Sequence, residues 1–173
     1  MNPSLSIELY KQLINGHAVN KHQYHIGEKQ NNPLFDELFC SIESYRAHYG
    51  LMGFELVMLG DSFFLRESDL NDQYKDAAMR IQVIFEILAR GMALIPLLPD
   101  AIMDYQTGLA VVEIRDMAEQ EDVQEILKAC GMKDLSSEVE NNLVRRGLAV
   151  WNLDQALVLS DCGVALFNDL FAK

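Results

Sequence analysis

Val144-Arg145-Arg146-Gly147-Leu148-Ala149-Val150-Trp151 joins two kinds of periodicity in one short passage. Upstream, from Val139, the spacing of apolar residues is helical, and Gly147 ends it. Leu148 to Trp151 then reads as an apolar strand, Asn152 to Asp154 as a turn, and Ala156-Leu157-Val158-Leu159 as a returning strand. The same plan occurs earlier in the chain. A helical run from Leu34 ends at Tyr49-Gly50, Phe54-Glu55-Leu56-Val57-Met58 follows, Gly60-Asp61 turns, and Phe63-Phe64-Leu65 returns. A helix that feeds directly into a hairpin closes a winged-helix unit. Two such passages predict an α+β chain, mainly helical, of two tandem winged-helix domains, each with a short β-hairpin wing.

Working outward, Ser4 is placed as the cap of a first helix whose Leu5, Leu9, Leu13 and Ile14 share one face, with Gly16 at its end. His17 to Asn32 is polar and reads as a loop, with at most a short strand near His25-Ile26. Pro33 starts a helix with the stripe Leu34, Phe35, Leu38, Phe39, Ile42, Tyr45 and Tyr49. The strongly polar Arg66 to Tyr74 marks the internal boundary, giving domains of residues 1–70 and 71–173. Tyr74 to Leu94 is a helix apolar over a wide arc, the pattern of burial on two sides.

Pro96 and Pro99 then break the chain, and Gly108 to Ile114 suits a short strand. Ile114 to Cys130 reads as a helix closed by Gly131, and Asp134 to Ser137 offers caps for a helix from Glu138 to Arg146. Ser160 or Asp161 caps a last helix carrying Val164, Leu166, Phe167, Leu170 and Phe171. No Gly/Ser linker separates the halves, so they are expected to pack together.

The 173 residues are 50% hydrophobic, enough for a substantial core, and carry a net charge of -12. That charge disfavours unaided binding to a phosphate backbone, which depends on Lys and Arg. Cys40, Cys130 and Cys162 are odd in number and widely spaced in apolar surroundings, the pattern of buried thiols in a reducing compartment. The N-terminus has no basic leader and charges interrupt every apolar run, so a cytoplasmic protein without membrane spans is expected.

Chemistry-bearing patterns are sparse. His17, His22 and His25 have spacings that fit no zinc motif, no serine lies in a Gly-x-Ser-x-Gly turn, and no glycine loop suits a phosphate. Cys162 falls in the first turn of the last helix, where the dipole favours a thiolate, but a packed thiol is the preferred reading. Glu113, Asp116, Glu119, Glu121, Asp122 and Glu125 form a solvated helical face. No catalytic, cofactor or metal site is expected; a small hydrolase with an unrecognised site is the remaining enzyme reading, disfavoured because no convergent set of titratable residues is visible.

Two surfaces remain. Lys133, Arg145 and Arg146 are weak candidates for DNA contact, on the element that in a DNA-reading winged helix enters the major groove. Glu138 and Glu140 share that helix and repel phosphate, so ion pairing or snorkelling is the favoured role for the arginines. Phe63, Phe64 and Leu65 are consecutive in a strand and cannot all face one core, so another surface must cover at least one of them. Together with Trp151 and Leu157 they are candidates for a partner interface, with core packing an equal alternative.

Four stretches, His25-Ile26-Gly27, Tyr45-Arg46-Ala47-His48-Tyr49 running to Glu55-Leu56, Ser62-Phe63-Phe64-Leu65-Arg66, and Val144 to Trp151, resemble in order and spacing the MukE and MksE type subunits of bacterial condensin complexes. These are kleisin-interacting tandem winged-helix proteins, and the resemblance covers about residues 25–171, closer in length to the compact MksE branch. Glu67 departs from it, standing where proline commonly follows the arginine. The resemblance implies a dimeric, non-enzymatic subunit that binds an extended segment of a kleisin and, through it, an ATPase of the structural-maintenance-of-chromosomes class. It also implies a cytoplasmic, nucleoid-associated role in chromosome condensation and segregation, or in related plasmid defence, with DNA met weakly or through the complex. The alternative is a winged-helix transcriptional regulator that sets the Glu138 to Arg146 helix on DNA.

Overall fold

A computed structural model describes residues 2–67, 72–95 and 99–171. Residues 68–71 of the polar stretch read as a boundary, and Pro96, lie outside these residues. The first helix, α1 (Pro3–Ile14), is capped by Asn2 rather than Ser4. The Asn2 side chain accepts from the Ser4 and Leu5 N–H groups, and Pro3 occupies the first helical position, where a missing N–H costs nothing.

The polar segment after α1 is not a loop. Strand β1 (Val19–Asn20) is followed by a hairpin of β2 (His22–His25) and β3 (Glu28–Asn31), with His25 opposite Glu28. Ile26 and Gly27, both at positive φ, form the two-residue turn. Every residue of β3 is exposed, so neither strand has the apolar alternation that would announce it.

The helical stripe predicted as one run is two helices, α2 (Pro33–Cys40) and α3 (Ile42–Leu51), parted at Ser41. Next come β4 (Phe54–Leu59) and β5 (Ser62–Glu67), paired around Gly60-Asp61, with β1 on the other edge of β5. The sheet order is thus β1-β5-β4. Leu9, Leu13, Val19, Leu34, Phe35, Leu38, Tyr45, Tyr49, Leu56 and Phe63 fill the core beneath it.

The second half repeats this order. After α4 (Asp72–Leu94) and a 3-10 turn (Pro99–Met103) comes β6 (Leu109–Ala110). Two short helices follow, α5 (Val111–Ala118) and α6 (Glu121–Ala129), where the spacing predicts one. Next is α7 (Leu135–Val139), which starts earlier than predicted because the Asp134 carboxylate accepts from the Ser137 N–H at 2.8 Å. It runs on as a π-helical turn over Glu140–Val144. Strands β7 (Ala149–Trp151) and β8 (Ala156–Leu159) then pair around a turn in which Gln155 takes positive φ.

The second sheet is ordered β6-β8-β7. In both sheets the strand nearest the start of its half pairs with the last strand of the hairpin. The last helix, α8 (Asp161–Phe171), begins where Ser160 Oγ accepts from the Gly163 N–H at 3.2 Å.

The second core holds Ile84, Phe85, Leu88, Leu109, Ile114, Leu143, Leu157 and Phe167 among others, with the Phe85 and Phe167 rings edge to face at 5.7 Å. Helix α8 packs on β8 and also on β4 and β5 of the first sheet. This resolves the Phe63-Phe64-Leu65 run. Phe63 and Leu65 face the first core, while Phe64, on the opposite face of β5, packs against the second. The surface that covers the surplus ring belongs to the same chain.

Candidate partner interface

The two halves meet around β1. The Ala18 N–H donates to the Arg146 carbonyl, and Asn20 Nδ2 donates to the Gly147 carbonyl, both at 2.8 Å. Gly147 sits at φ +71, and a Cβ there would lie 3.0 Å from the Ala18 oxygen, so the helix-ending glycine is also a close-approach residue. The Cys162 N–H donates to Asn20 Oδ1 at 2.8 Å, and the His22 N–H donates to Asp161 Oδ2 at 2.8 Å. The His22 ring nitrogen Nδ1 stands 3.1 Å from the same carboxylate, with Lys29 Nζ at 3.9 Å.

At the start of α8 the Cys162 N–H as donor and the Asp161 carboxylate as acceptor are thus both engaged by the opposite half of the chain. Cys162 is buried, and burial pushes its thiol above the usual range despite the opposing Ser62 hydrogen bond. Among the cysteines only Cys162 is fully buried, since Cys130 is half-buried and Cys40 exposed, and all three are free.

The residues singled out from sequence separate clearly. Phe63 and Leu157 are 0% exposed and fill the two cores. Phe64, Leu65 and Trp151 are half-buried, each presenting part of its surface. Trp151 Nε1 donates to Glu140 Oε2 at 3.0 Å, which fixes its ring on the second core. Glu138, expected beside the arginine pair, is instead held by Arg80 Nη1 at 3.1 Å and by Asn142 Nδ2 at 2.8 Å.

The basic candidates do not form one patch. Lys133 lines a cleft of about 750 Å³ with Arg115 and Lys128. Arg145 is exposed, with Nε 3.9 Å from Glu140 Oε1. Arg146 turns inward to the end of α1, where its Nη1 would stand 3.2 Å from a Cβ on Gly16, and its Nε is buried without a hydrogen-bond partner among the described residues.

Sequence reasoning missed the apolar surface that stays open. Ile7, Tyr10 and Ile14 line the outer side of α1, Leu51 is 90% exposed at the end of α3, and Ile26 and Leu153 protrude at two hairpin turns. Ile7, Tyr10 and Ile14 recur at helical spacing on a second face of α1, so Ile14, placed from sequence on the face of Leu9 and Leu13, lies outside the core. Ile26 and Leu153 sit at turns, where no periodicity marks them. Each sheet also has an outer hairpin strand, β4 and β7, that pairs on one side only among the described residues. Among the described residues no group of His, Cys, Asp and Glu is arranged to hold a metal, and no helix is long and apolar enough to cross a membrane.

These features define a mixed, mainly helical chain built on two three-stranded antiparallel sheets and a separate two-stranded hairpin. The chain matches the family of the condensin complex protein MksE over residues 4–170, across both halves, and it belongs to that family. It is therefore a subunit of a condensin complex. A comparison with curated proteins returned no match.

Proposed function

We propose that the chain is the kleisin-binding subunit of a condensin-like complex, built of two tandem winged-helix domains, residues 1–70 and 71–173. It works as a homodimer in chromosome condensation and segregation, or in related plasmid defence, and the ATP chemistry belongs to a partner of the structural-maintenance-of-chromosomes class. The observation that carries this reading is the repeated sheet order, which leaves β4 and β7 as outer strands of β1-β5-β4 and β6-β8-β7. An outer strand offers unpaired backbone groups, so an extended segment gains affinity by strand addition and selectivity from the side chains beside it. Phe64, Leu65 and Trp151, half-buried on these hairpins, are the proposed flanking contacts.

The net charge of -12 suits a segment with basic residues and disfavours DNA as an unaided ligand. A DNA-reading regulator has less support, because Arg146 turns into the chain and Arg145 lies beside Glu140. Co-purification of the full chain with a kleisin-class protein encoded beside it tests the reading. A stable complex is expected, weakened by Trp151→Asp in a variant that still folds. Absence of a complex, with salt-resistant duplex binding by the isolated chain, overturns it.

A further inference from the structure

Two hairpin turns from opposite halves of the chain meet at one point. Gly27 closes the β2–β3 turn at φ +81, and Leu153 of the β7–β8 turn lies over it, so that a Cβ on Gly27 would stand 2.6 Å from Leu153 Cδ1. Beside them the Tyr24 and Tyr105 rings stack at 3.9 Å and 8°. The result is a joint tip to which neither half contributes alone, and its most prominent side chains are apolar. Ile26 is 80% exposed and Leu153 68%.

Ile26 is unfavourable twice over. Its φ of +49 places a β-branched residue where glycine or asparagine is normal, and the first position of such a turn ordinarily takes asparagine or aspartate. Its side chain gains nothing from burial, since it projects into solvent. Backbone outliers of this kind gather at binding sites, where the strain serves the contact.

The rim indicates what the tip takes. Glu28 follows Gly27, Asp154 follows Leu153, and Asp104 precedes the stacked Tyr105, and all three are exposed. The Thr107 hydroxyl and the Gln106 N–H hold the Asp104 carboxyl below its usual range, so it is ionised at neutral pH. Lys29 lines the cleft beside Gly27, Asp104 and Tyr105, with its Nζ 3.9 Å from Asp161, so one cation stands among these carboxylates. An apolar tip whose rim holds three carboxylates against one lysine complements apolar anchors flanked by Lys or Arg. A second copy of this chain would bring the same carboxylates against themselves.

We propose that the Ile26–Leu153 tip is an anchor site for the kleisin-class partner, taking apolar side chains from a segment flanked by basic residues. This rests on the reading that the chain binds such a partner. Titration of the full chain and of the Ile26→Asn/Leu153→Asn variant with the kleisin-class protein, alongside thermal unfolding, tests it. The variant should bind at least about tenfold more weakly. Ile26→Asn alone should unfold no earlier than the natural chain, because asparagine accepts the left-handed backbone. Asp104→Asn/Asp154→Asn should flatten the salt dependence of binding.

Unchanged affinity in the Ile26→Asn/Leu153→Asn variant, with binding by the natural chain intact, overturns the site and leaves the kleisin reading standing. No binding by the natural chain overturns both. A loss of self-association in the variant, with partner affinity unchanged, would reassign the tip to a second copy and overturn the proposal.

Discussion

Asn20 Nδ2 donates to the Gly147 carbonyl at 2.8 Å, tying a strand of the first sheet to the turn that precedes the second hairpin. The same amide accepts from the Cys162 N–H at 2.8 Å, so one side chain bridges two elements of the opposite half. The Gly147 carbonyl keeps a second donor, Ser160 Oγ at 2.7 Å, whereas the Cys162 N–H has no other partner described. Asn20→Ala should therefore cost about 2 kcal/mol, mainly through that stranded N–H. The urea midpoint of the full chain measures it, and a single transition should persist, because Ala18 and Phe64 of the first half pack in the second core and hydrogen bonds join the halves.

Two glycine-to-alanine changes should differ sharply. A Cβ on Gly163, in the first turn of α8, would collide with the Leu148 backbone carbonyl, which no rotamer change relieves. Gly163→Ala should cost roughly 3 kcal/mol or more, with α8 displaced from the hairpin. Gly50, inside α3, meets nothing within 4 Å, so Gly50→Ala should be neutral or stabilising by about 0.5–1 kcal/mol. Paired thermal melts distinguish the two.

Thiol labelling should resolve three rates. Cys40, exposed at the end of α2, should react fastest, Cys130 more slowly, and Cys162 only as the chain opens. Burial raises the Cys162 thiol, so its thiolate is both scarce and shielded at neutral pH. Mass spectrometry after timed alkylation gives the order, and early modification of Cys162 would contradict it.

The Asp134 cap should show a pH signature. Its carboxyl is held below the usual range by the Ser137 N–H first and the Ser137 hydroxyl second. A depressed folded value means that this stabilisation is complete above the unfolded carboxylate range and disappears as pH falls through the folded value. Asp134→Ala should cost about 1 kcal/mol at neutral pH. The stability gap between the natural chain and Asp134→Asn should close in acid, as urea titrations at stepped pH will show.

The helix-to-hairpin passages were legible from their change of period, and both hairpins pair where the sequence places them, although α3 runs through Gly50 to Leu51 and the chain turns at Gly53 instead. What escaped was settled by contacts across the chain. The strands around Ile26 carry polar residues on both faces, so no alternation marks them. Ser41 and Gln120 interrupt helical stripes that look continuous, because the apolar spacing carries through short breaks between helices. Phe64 could be recognised as needing cover, but only the fold reveals that α8 and the second core supply it. Arg145 and Arg146 are neighbours in sequence yet point to different surroundings, which no spacing rule distinguishes.

Calorimetric titration of the full chain with the proposed kleisin-class partner measures partner capture most directly. Saturable binding at micromolar affinity or tighter is predicted, unchanged in Arg145→Ala. Absence of binding heat, together with duplex DNA binding at near-physiological salt that Arg145→Ala abolishes, would contradict it.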